Sequence, residues 1–479
     1  MTDQTTATIE RHFRGRLIRP SDADYDNARA LYNGMIDKRP RLIARCMDVA
    51  DVIACVNFAR DEGLPLAIRG GGHNGPGLGS CDDGLVIDLS TITSVRADPK
   101  SLTVRGDAGC TSGDVDHATH PFGLAVPFGI VSTTGVAGLT LGGGTGYLTR
   151  KYGLTIDNLL EADVVLADGS FVTTSASQYS HLFWALRGGG GNFGVVTSFL
   201  FHVHPVKMVY AGPVFWEATS AKAVMRAYRD FLPIAPEDLG AFVGLKTVPS
   251  MDLFSREHWG KRACAVISCY NGSAAEGENA MAPLFKAVPP LIFNWMSAIP
   301  FPVMQALFDP LFPKGLQWYW KGDFVKSLPD EAIDTHIAQA ARAPSELSLM
   351  HLYPIDGAVR RIAKDATPWT ARDATWSMVI AGIDRDPNRA DALKTWGREY
   401  WKAVHRYNLE AGYVNFMMSD DVEGRLQAAY GENYKRLALV KAKYDPSNLF
   451  RVNQNIKPAL ACELFCTVPS TTVRATWQI

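Results

Sequence analysis

Apolar and polar positions recur along this chain in short runs, and those runs predict a mixed architecture of brief strands and helices. Residues 1–37 form a polar lead-in with a helical middle around residues 24–35. Pro40-Arg41-Leu42-Ile43-Ala44-Arg45 then reads as a short strand. Asp48 is a good N-cap, Val49, Val52, Ile53 and Val56 recur on one helical face, and Gly63 marks the stop before a strand at Leu64-Pro65-Leu66-Ala67-Ile68. Another strand is predicted at Leu85-Val86-Ile87-Asp88-Leu89. Residues 102–210 repeat this grammar: Leu102-Thr103-Val104, Leu124-Ala125-Val126-Pro127, and Asp163-Val164-Val165-Leu166-Ala167 with its Asp168-Gly169 turn, onto which Phe171-Val172-Thr173-Thr174 pairs back as a hairpin. After His204-Pro205 the pattern changes. Longer amphipathic segments such as residues 221–231 alternate with aromatic-rich strands such as Gln317-Trp318-Tyr319-Trp320-Lys321, which reads as a separate α+β domain over residues 209–425.

Between the second and third predicted strands lies Arg69-Gly70-Gly71-Gly72-His73-Asn74, followed by Gly75-Pro76-Gly77-Leu78-Gly79-Ser80. Its glycines can turn several backbone N–H groups towards one anion, and a phosphate is the usual guest. Gly70-x-Gly72-x-x-Gly75 also satisfies the dinucleotide fingerprint, with Asp88 near the position of its ribose-binding acid. That reading is rejected. A Rossmann fingerprint opens a helix, whereas further glycines and Pro76 forbid one here. Two more glycine clusters follow, at residues 138–147 and 187–197, so the chain has three loops suited to packing against a large phosphate-bearing ligand.

At 479 residues, two or three domains are the prior. A composition of 47% apolar and 20% charged residues is that of an ordinary globular protein. A formal net charge of -1 gives no reason to expect nucleic acid or an anionic membrane as partner. The eight cysteines include no CxxC pair, so free buried or half-buried thiols are expected rather than a zinc site or a disulfide framework. No apolar run is long enough to span a bilayer and the start lacks a signal-peptide plan, so the expectation is a cytoplasmic enzyme without a metal.

The glycine loop resembles the phosphate loop of FAD-linked oxidases of the vanillyl-alcohol-oxidase and p-cresol-methylhydroxylase superfamily. Gly142-Gly143-Gly144-Thr145-Gly146-Tyr147 with its Arg150-Lys151-Tyr152-Gly153 follow-on, Gly191-Asn192-Phe193-Gly194-Val195-Val196, and Tyr444-Asp445-Pro446 with Asn453-Gln454-Asn455-Ile456 occur in the order found in berberine-bridge-enzyme-like members. The resemblance covers roughly residues 38–458. It implies an α+β fold with a two-part FAD-binding domain (38–208 and 426–458) and an α+β substrate domain (209–425) whose large antiparallel sheet roofs the flavin, a tail at 459–479 being left unassigned. It also implies FAD contacts from Arg69, Gly70, Gly71, Gly72, Asn74, Gly79 and Ser80. Further contacts would come from Pro127, Thr133, Thr134, Gly138, Gly142, Gly143, Gly146, Tyr147 and Asn158, and from Gly194, Val195, Asn453 and Asn455.

His73 matches the histidine that joins the flavin 8α-methyl group. Many relatives add a second link from a cysteine, but that position is Val131 here, so the resemblance implies one bond only. The oxygen-gating position is Thr134, close in volume to the valine of oxidases. Neither familiar base is present: the second tyrosine of Tyr-x-Asn-Tyr is Phe416, and the glutamate of the central strand aligns with Arg361. Strand alternation puts Tyr319, Lys321 and Asp323 on one face, and His351 with Tyr353 on another. Tyr319, made more acidic by Lys321, ranks first as base, followed by Tyr353 and His351, with Arg361 and Lys321 making the pocket locally positive. The implied activity is hydride removal from a C–H beside oxygen or nitrogen of a small ring-bearing substrate, with O₂ as acceptor and H₂O₂ as product. A dehydrogenase, an oxidative cyclase or a flavin-carrying binding protein are the alternatives, and oligomeric state is left open.

Overall fold

Asp48 accepts a hydrogen bond from the Asp51 N–H (3.1 Å) and opens the helix Val49–Asp61, and Gly63, at φ +64°, lets the chain turn out of it. The computed structural model describes residues 9–10, 13–252, 254–421 and 423–460. The strands up to Pro205 are β1 (Arg16–Ile18), β2 (Leu42–Arg45), β3 (Leu66–Arg69), β4 (Leu85–Asp88), β5 (Val95–Asp98), β6 (Thr103–Asp107), β7 (Leu124–Ala125), β8 (Leu159–Val165), β9 (Phe171–Ser175), β10 (Val195–His202) and β11 (His204–Pro205). They form a four-stranded sheet in the order β1-β2-β4-β3, a five-stranded antiparallel sheet in the order β5-β6-β10-β8-β9, and a β7-β11 pair. The β8–β9 hairpin turns at Gly169, whose φ of +83° a residue with a side chain adopts only with strain. Between β3 and β4 the loop from Gly70 to Gly84 contains no helix, in keeping with the rejection of a Rossmann turn.

The second part is built on β12 (Met208–Glu217), β13 (Leu239–Thr247), β14 (Arg262–Tyr270), β15 (Phe293–Asn294), β16 (Ser297–Pro300), β17 (Gln317–Val325), β18 (Leu349–Pro354) and β19 (Trp376–Asp384). They make one antiparallel sheet in the order β15-β12-β14-β13-β18-β19-β17, with β16 beside β12. Its period-2 side-chain pattern separates two environments. Val243 and Leu245, Met350 and Leu352, and Met378 and Ile380 pack under the helices Ala221–Phe231, Asp330–Ala340 and Ala390–Val404. Phe242, Tyr353 and Val379 face the other way, towards Tyr147 and Leu148 of the first part.

The lead-in departs from expectation. Its helix is only Tyr25–Arg29, because the next residues are drawn into long-range pairings: Gly34 N–H donates to the Leu316 carbonyl (2.7 Å), Gly315 N–H to that of Tyr32 (2.9 Å), and the Asn33 amide to those of Gly75 and Trp318. Tertiary backbone bonds here override local helical spacing. Arg361 is also displaced from its expected strand: residues Gly357–Arg361 form a 3₁₀ turn.

The C-terminal segment returns to the first part. Lys441, fully buried on the helix Asn433–Tyr444, donates to the Asp445 carboxylate (2.7 Å) and to the carbonyls of Asn192 (2.7 Å) and Phe450 (2.9 Å). Asn192 in turn donates to the Gln454 carbonyl, and Asn453 to that of Gly191. The third glycine cluster is thus stapled to the chain's end. The six described cysteines are buried free thiols, while Cys462, Cys466 and most of the 459–479 tail lie outside the described residues. Among the described residues no helix is long and apolar enough to cross a membrane.

Candidate active site

The loop after β3 forms one wall of a cavity lying between the first part and the large sheet. Arg69, Gly70, Gly71, Gly72, His73, Asn74 and Gly79 line it, joined by Val131, Thr134 and Gly138, by Gly190, Gly191 and Gly194, and by Asn453. Gly71 is packed so tightly that a Cβ would stand 2.5 Å from the backbone nitrogen of Gly135, so the loop can pass there only as glycine. His73 lies between two neighbours. Its ring stacks on Tyr32, with centroids 3.8 Å apart and planes at 17°, and its Nε2 is 3.1 Å from the Thr133 hydroxyl. Enclosure lowers the His73 pKa to about 4, so the imidazole is neutral at physiological pH.

The opposite wall comes from the large sheet: Trp318 and Trp320 of β17, Leu349, His351 and Tyr353 of β18, and Val379 and Ala381 of β19. Phe312, Phe416 and Tyr413 complete it. His351 Nδ1 and the Tyr353 hydroxyl are 3.0 Å apart, and His351 Nε2 is buried with no hydrogen-bond partner among the described residues. Burial first, then the charge of Lys246, lowers the His351 pKa to about 3, and burial raises that of Tyr353. Both groups are therefore neutral. Among the described residues the cavity lining contains no aspartate, glutamate or lysine, and one arginine, Arg69, which is paired with Asp88 at 2.8 Å.

Three of the five candidate catalytic residues lie elsewhere or are turned away. Tyr319, Lys321 and Asp323 do share a face, but it is the face of β17 beneath the helix Ala390–Val404; Trp318 and Trp320 take the cavity side. Tyr319 donates to Asp420 (2.8 Å), and burial together with that carboxylate raises its pKa, the reverse of the expected acidification by Lys321. Lys321 is committed to Asp420 (3.0 Å) and Asp421 (2.8 Å). Arg361 is exposed and pairs with Glu237 through two bonds of 2.7 and 2.9 Å. The pocket is accordingly not made positive by either residue.

Several expected cofactor contacts lie outside the cavity lining and are engaged in packing. A Cβ on Gly142 would meet the Asn415 side chain, one on Gly143 the Trp369 ring, and one on Gly146 the Phe128 carbonyl. Tyr147 is buried against Phe242, Asn158 holds the Tyr152 and Leu154 carbonyls and His204, and the Pro127 carbonyl accepts from Thr155. Thr133, Ser80, Val195 and Asn455 also stand outside the lining, Thr133 reaching it through His73 and beside Gly71. The structure adds residues that sequence reading passed over. Tyr32 comes from the lead-in, where nothing but its aromatic ring hinted at a role, and Phe312, Val379 and Ala381 are unremarkable apolar positions in sequence.

Residues 40–175 match the family described as FAD binding domain, and residues 412–457 the one described as berberine and berberine like. An FAD-linked oxidoreductase of Dictyostelium discoideum is 31% identical over 447 residues, covering 93% of this chain and 95% of that protein. (R)-6-hydroxynicotine oxidase of Paenarthrobacter nicotinovorans is 31% identical over 469 residues, covering 93% and 97%. The chain belongs to the berberine-bridge-like FAD-linked oxidoreductases. The crystal structure of 6-hydroxy-D-nicotine oxidase from Arthrobacter nicotinovorans superposes on this oxidoreductase with a TM-score of 0.83 at 28% identity, over 93% of this chain and 98% of that one. A chitooligosaccharide oxidase shares the fold, with a TM-score of 0.82 at 22% identity over 95% and 100%.

The cofactor of this oxidoreductase is FAD, and the cavity fits it. At Gly138 and Gly191, both in the lining, a Cβ would meet no atom of the described residues within 4 Å, so these glycines border open space that side chains would fill. Arg69 Nη1 and Asn453 Oδ1 are buried without partners among the described residues, one a donor suited to an anion and the other an acceptor for a hydroxyl or N–H.

Proposed function

We propose that this oxidoreductase is an oxidase that carries FAD covalently on His73 and removes hydride from a C–H beside the oxygen or nitrogen of a small, neutral, ring-bearing substrate. FAD, when bound, supplies the two-electron acceptor and passes the electrons to O₂ as H₂O₂. The carrying observation is the His351–Tyr353 pair, set into a wall of aromatic and aliphatic side chains with no carboxylate beside it.

Each wall residue has a task in this reading. Trp318, Trp320 and Phe416 offer faces and edges against which a flat ring packs, each such contact being worth about 0.5–1.5 kcal/mol beyond its area. A permanently cationic substrate would find no counter-charge there, and leaving its charge unpaired in the cavity costs several kcal/mol. As hydride leaves an alcohol, its O–H proton must go elsewhere. The Tyr353 hydroxyl, oriented by His351 Nδ1 at 3.0 Å, is the group placed to hydrogen-bond that O–H and relay its proton, and a relay so placed contributes ~10²–10⁴-fold. Enclosure by the two walls excludes water from the reacting bond. Thr134 leaves space for O₂ at the cavity wall.

The test is a panel of neutral aromatic alcohols and amines added anaerobically while flavin bleaching is followed, then admission of air with H₂O₂ measured. Bleaching with fast reoxidation and stoichiometric peroxide supports the oxidase, and Thr134→Leu should slow the reoxidation. Bleaching without reoxidation by air would make the protein a dehydrogenase. Flavin released by acid precipitation would remove the covalent part of the proposal.

A further inference from the structure

Tyr32 is tied down before it touches His73. Its N–H donates to the Gly72 carbonyl (3.2 Å), its carbonyl accepts from Gly315 (2.9 Å), its hydroxyl donates to the Phe312 carbonyl (2.6 Å), and its ring lies 5.6 Å from that of Trp318. The ring is buried, with 8% of its surface exposed. A tyrosine anchored at both ends in this way is a rigid plate. The imidazole of His73 rests on that plate at 3.8 Å with its plane tilted by only 17°, while the Thr133 hydroxyl meets its Nε2 edge at 3.1 Å. One contact fixes the plane of the ring and the other its rotation within that plane. A histidine that merely donates to a phosphate needs neither constraint.

We propose that Tyr32 and Thr133 are positioning residues for flavin attachment, fixing the plane and the rotation of the His73 imidazole so that its free ring nitrogen is held ready for the bond. The inference rests on the covalent reading above. The attachment step balances as follows: a bond forms between that nitrogen and the 8α carbon, one C–H of that methyl group breaks, and the proton of the neutral imidazole leaves from the other ring nitrogen. Two electrons and two protons pass to the isoalloxazine, and O₂ removes them as H₂O₂. The Thr133 oxygens give the departing proton its first acceptor. Ordering a nucleophile in one plane and one rotation is the kind of restriction that raises effective concentration by orders of magnitude.

The protein is expressed with limiting flavin, purified, and supplied with FAD while acid-precipitable flavin is followed with time. Tyr32→Ala should slow attachment at least about tenfold and Tyr32→Phe should leave it within about twofold, since phenylalanine keeps the plate. Flavin retained on desalting but released by acid shows that Tyr32→Ala still folds and binds, and Thr133→Val offers a second, smaller perturbation that should also slow attachment. Unaltered attachment in Tyr32→Ala would overturn this inference while leaving the covalent link intact. Absence of acid-stable flavin in the unmutated protein would instead overturn the covalent reading itself.

Discussion

Gly244 of β13 is the seat of His351: a Cβ on Gly244 would stand 2.4 Å from the imidazole Cδ2 and 2.9 Å from Nε2. Nothing but glycine leaves that space, and the ring lies across it to reach Tyr353. Gly244→Ala should therefore displace the imidazole without touching FAD. Overpacking of this kind costs about 1–3 kcal/mol, and the rate of flavin reduction should fall at least about tenfold with an unchanged flavin content. Stopped-flow reduction of the variant under anaerobic conditions checks this, and an unaltered rate would detach His351 from the proton's path.

The buried histidines make stability depend on pH in a defined window. His351 and His336 both have pKa values lowered by burial to about 3, whereas in the unfolded chain they titrate near ~6.5. Below ~6.5 the unfolded chain binds protons that the native state refuses, so their contribution is fully present above that pH and is lost progressively as pH falls towards 3. Melting temperature should be level between pH 7 and 8 and decline from about pH 6.5 to 5, before carboxylates begin to titrate. For the same reason, flavin reduction should show no loss of activity attributable to His351 protonation anywhere above about pH 5.

Tyr319→Phe separates the two tyrosines. Its hydroxyl bonds Asp420 (2.8 Å) and Arg398 (3.2 Å) on the side of β17 away from the cavity. Its loss should cost about 1 kcal/mol of stability. Flavin reduction should stay within about twofold, in contrast to the ~10²–10⁴-fold expected of a missing base. Tyr353→Phe, which leaves buried His351 without its partner, should cost about 1–3 kcal/mol and in addition slow reduction. Equal slowing in both variants would contradict the assignment of cavity faces.

Gly138→Leu tests the cofactor space directly. Among the described residues no atom beyond its own helix lies within 4 Å of the position a Cβ would take there, and Gly138 belongs to the helix Val136–Leu141, where a side chain is better tolerated than none. The variant should fold with an unchanged circular dichroism spectrum, yet lose FAD content by about tenfold or more because leucine fills the cavity. Full flavin occupancy in the Gly138→Leu variant would place the cofactor elsewhere.

Local backbone geometry made much of this protein legible in one dimension. The capped helix from Asp48 to Gly63, the helix-free loop after β3, the β8–β9 hairpin and the sharing of faces by Tyr319, Lys321 and Asp323, or by His351 and Tyr353, follow from periods of 3.6 and 2.0 and from the turn preferences of glycine. Periodicity says which residues share a face and is silent on what that face meets. The helix Ala390–Val404 covers one side of β17, and that packing, made across long sequence separations, sends Tyr319 and Lys321 to Asp420 and Asp421 and leaves the tryptophans to the cavity. The same holds for Tyr32, which sits in a segment whose helical spacing is overruled by backbone bonds to residues 315 and 316. Gly142 and Gly143 read as phosphate-loop glycines in sequence but serve close packing against Asn415 and Trp369, because a missing Cβ admits a side chain as readily as a ligand.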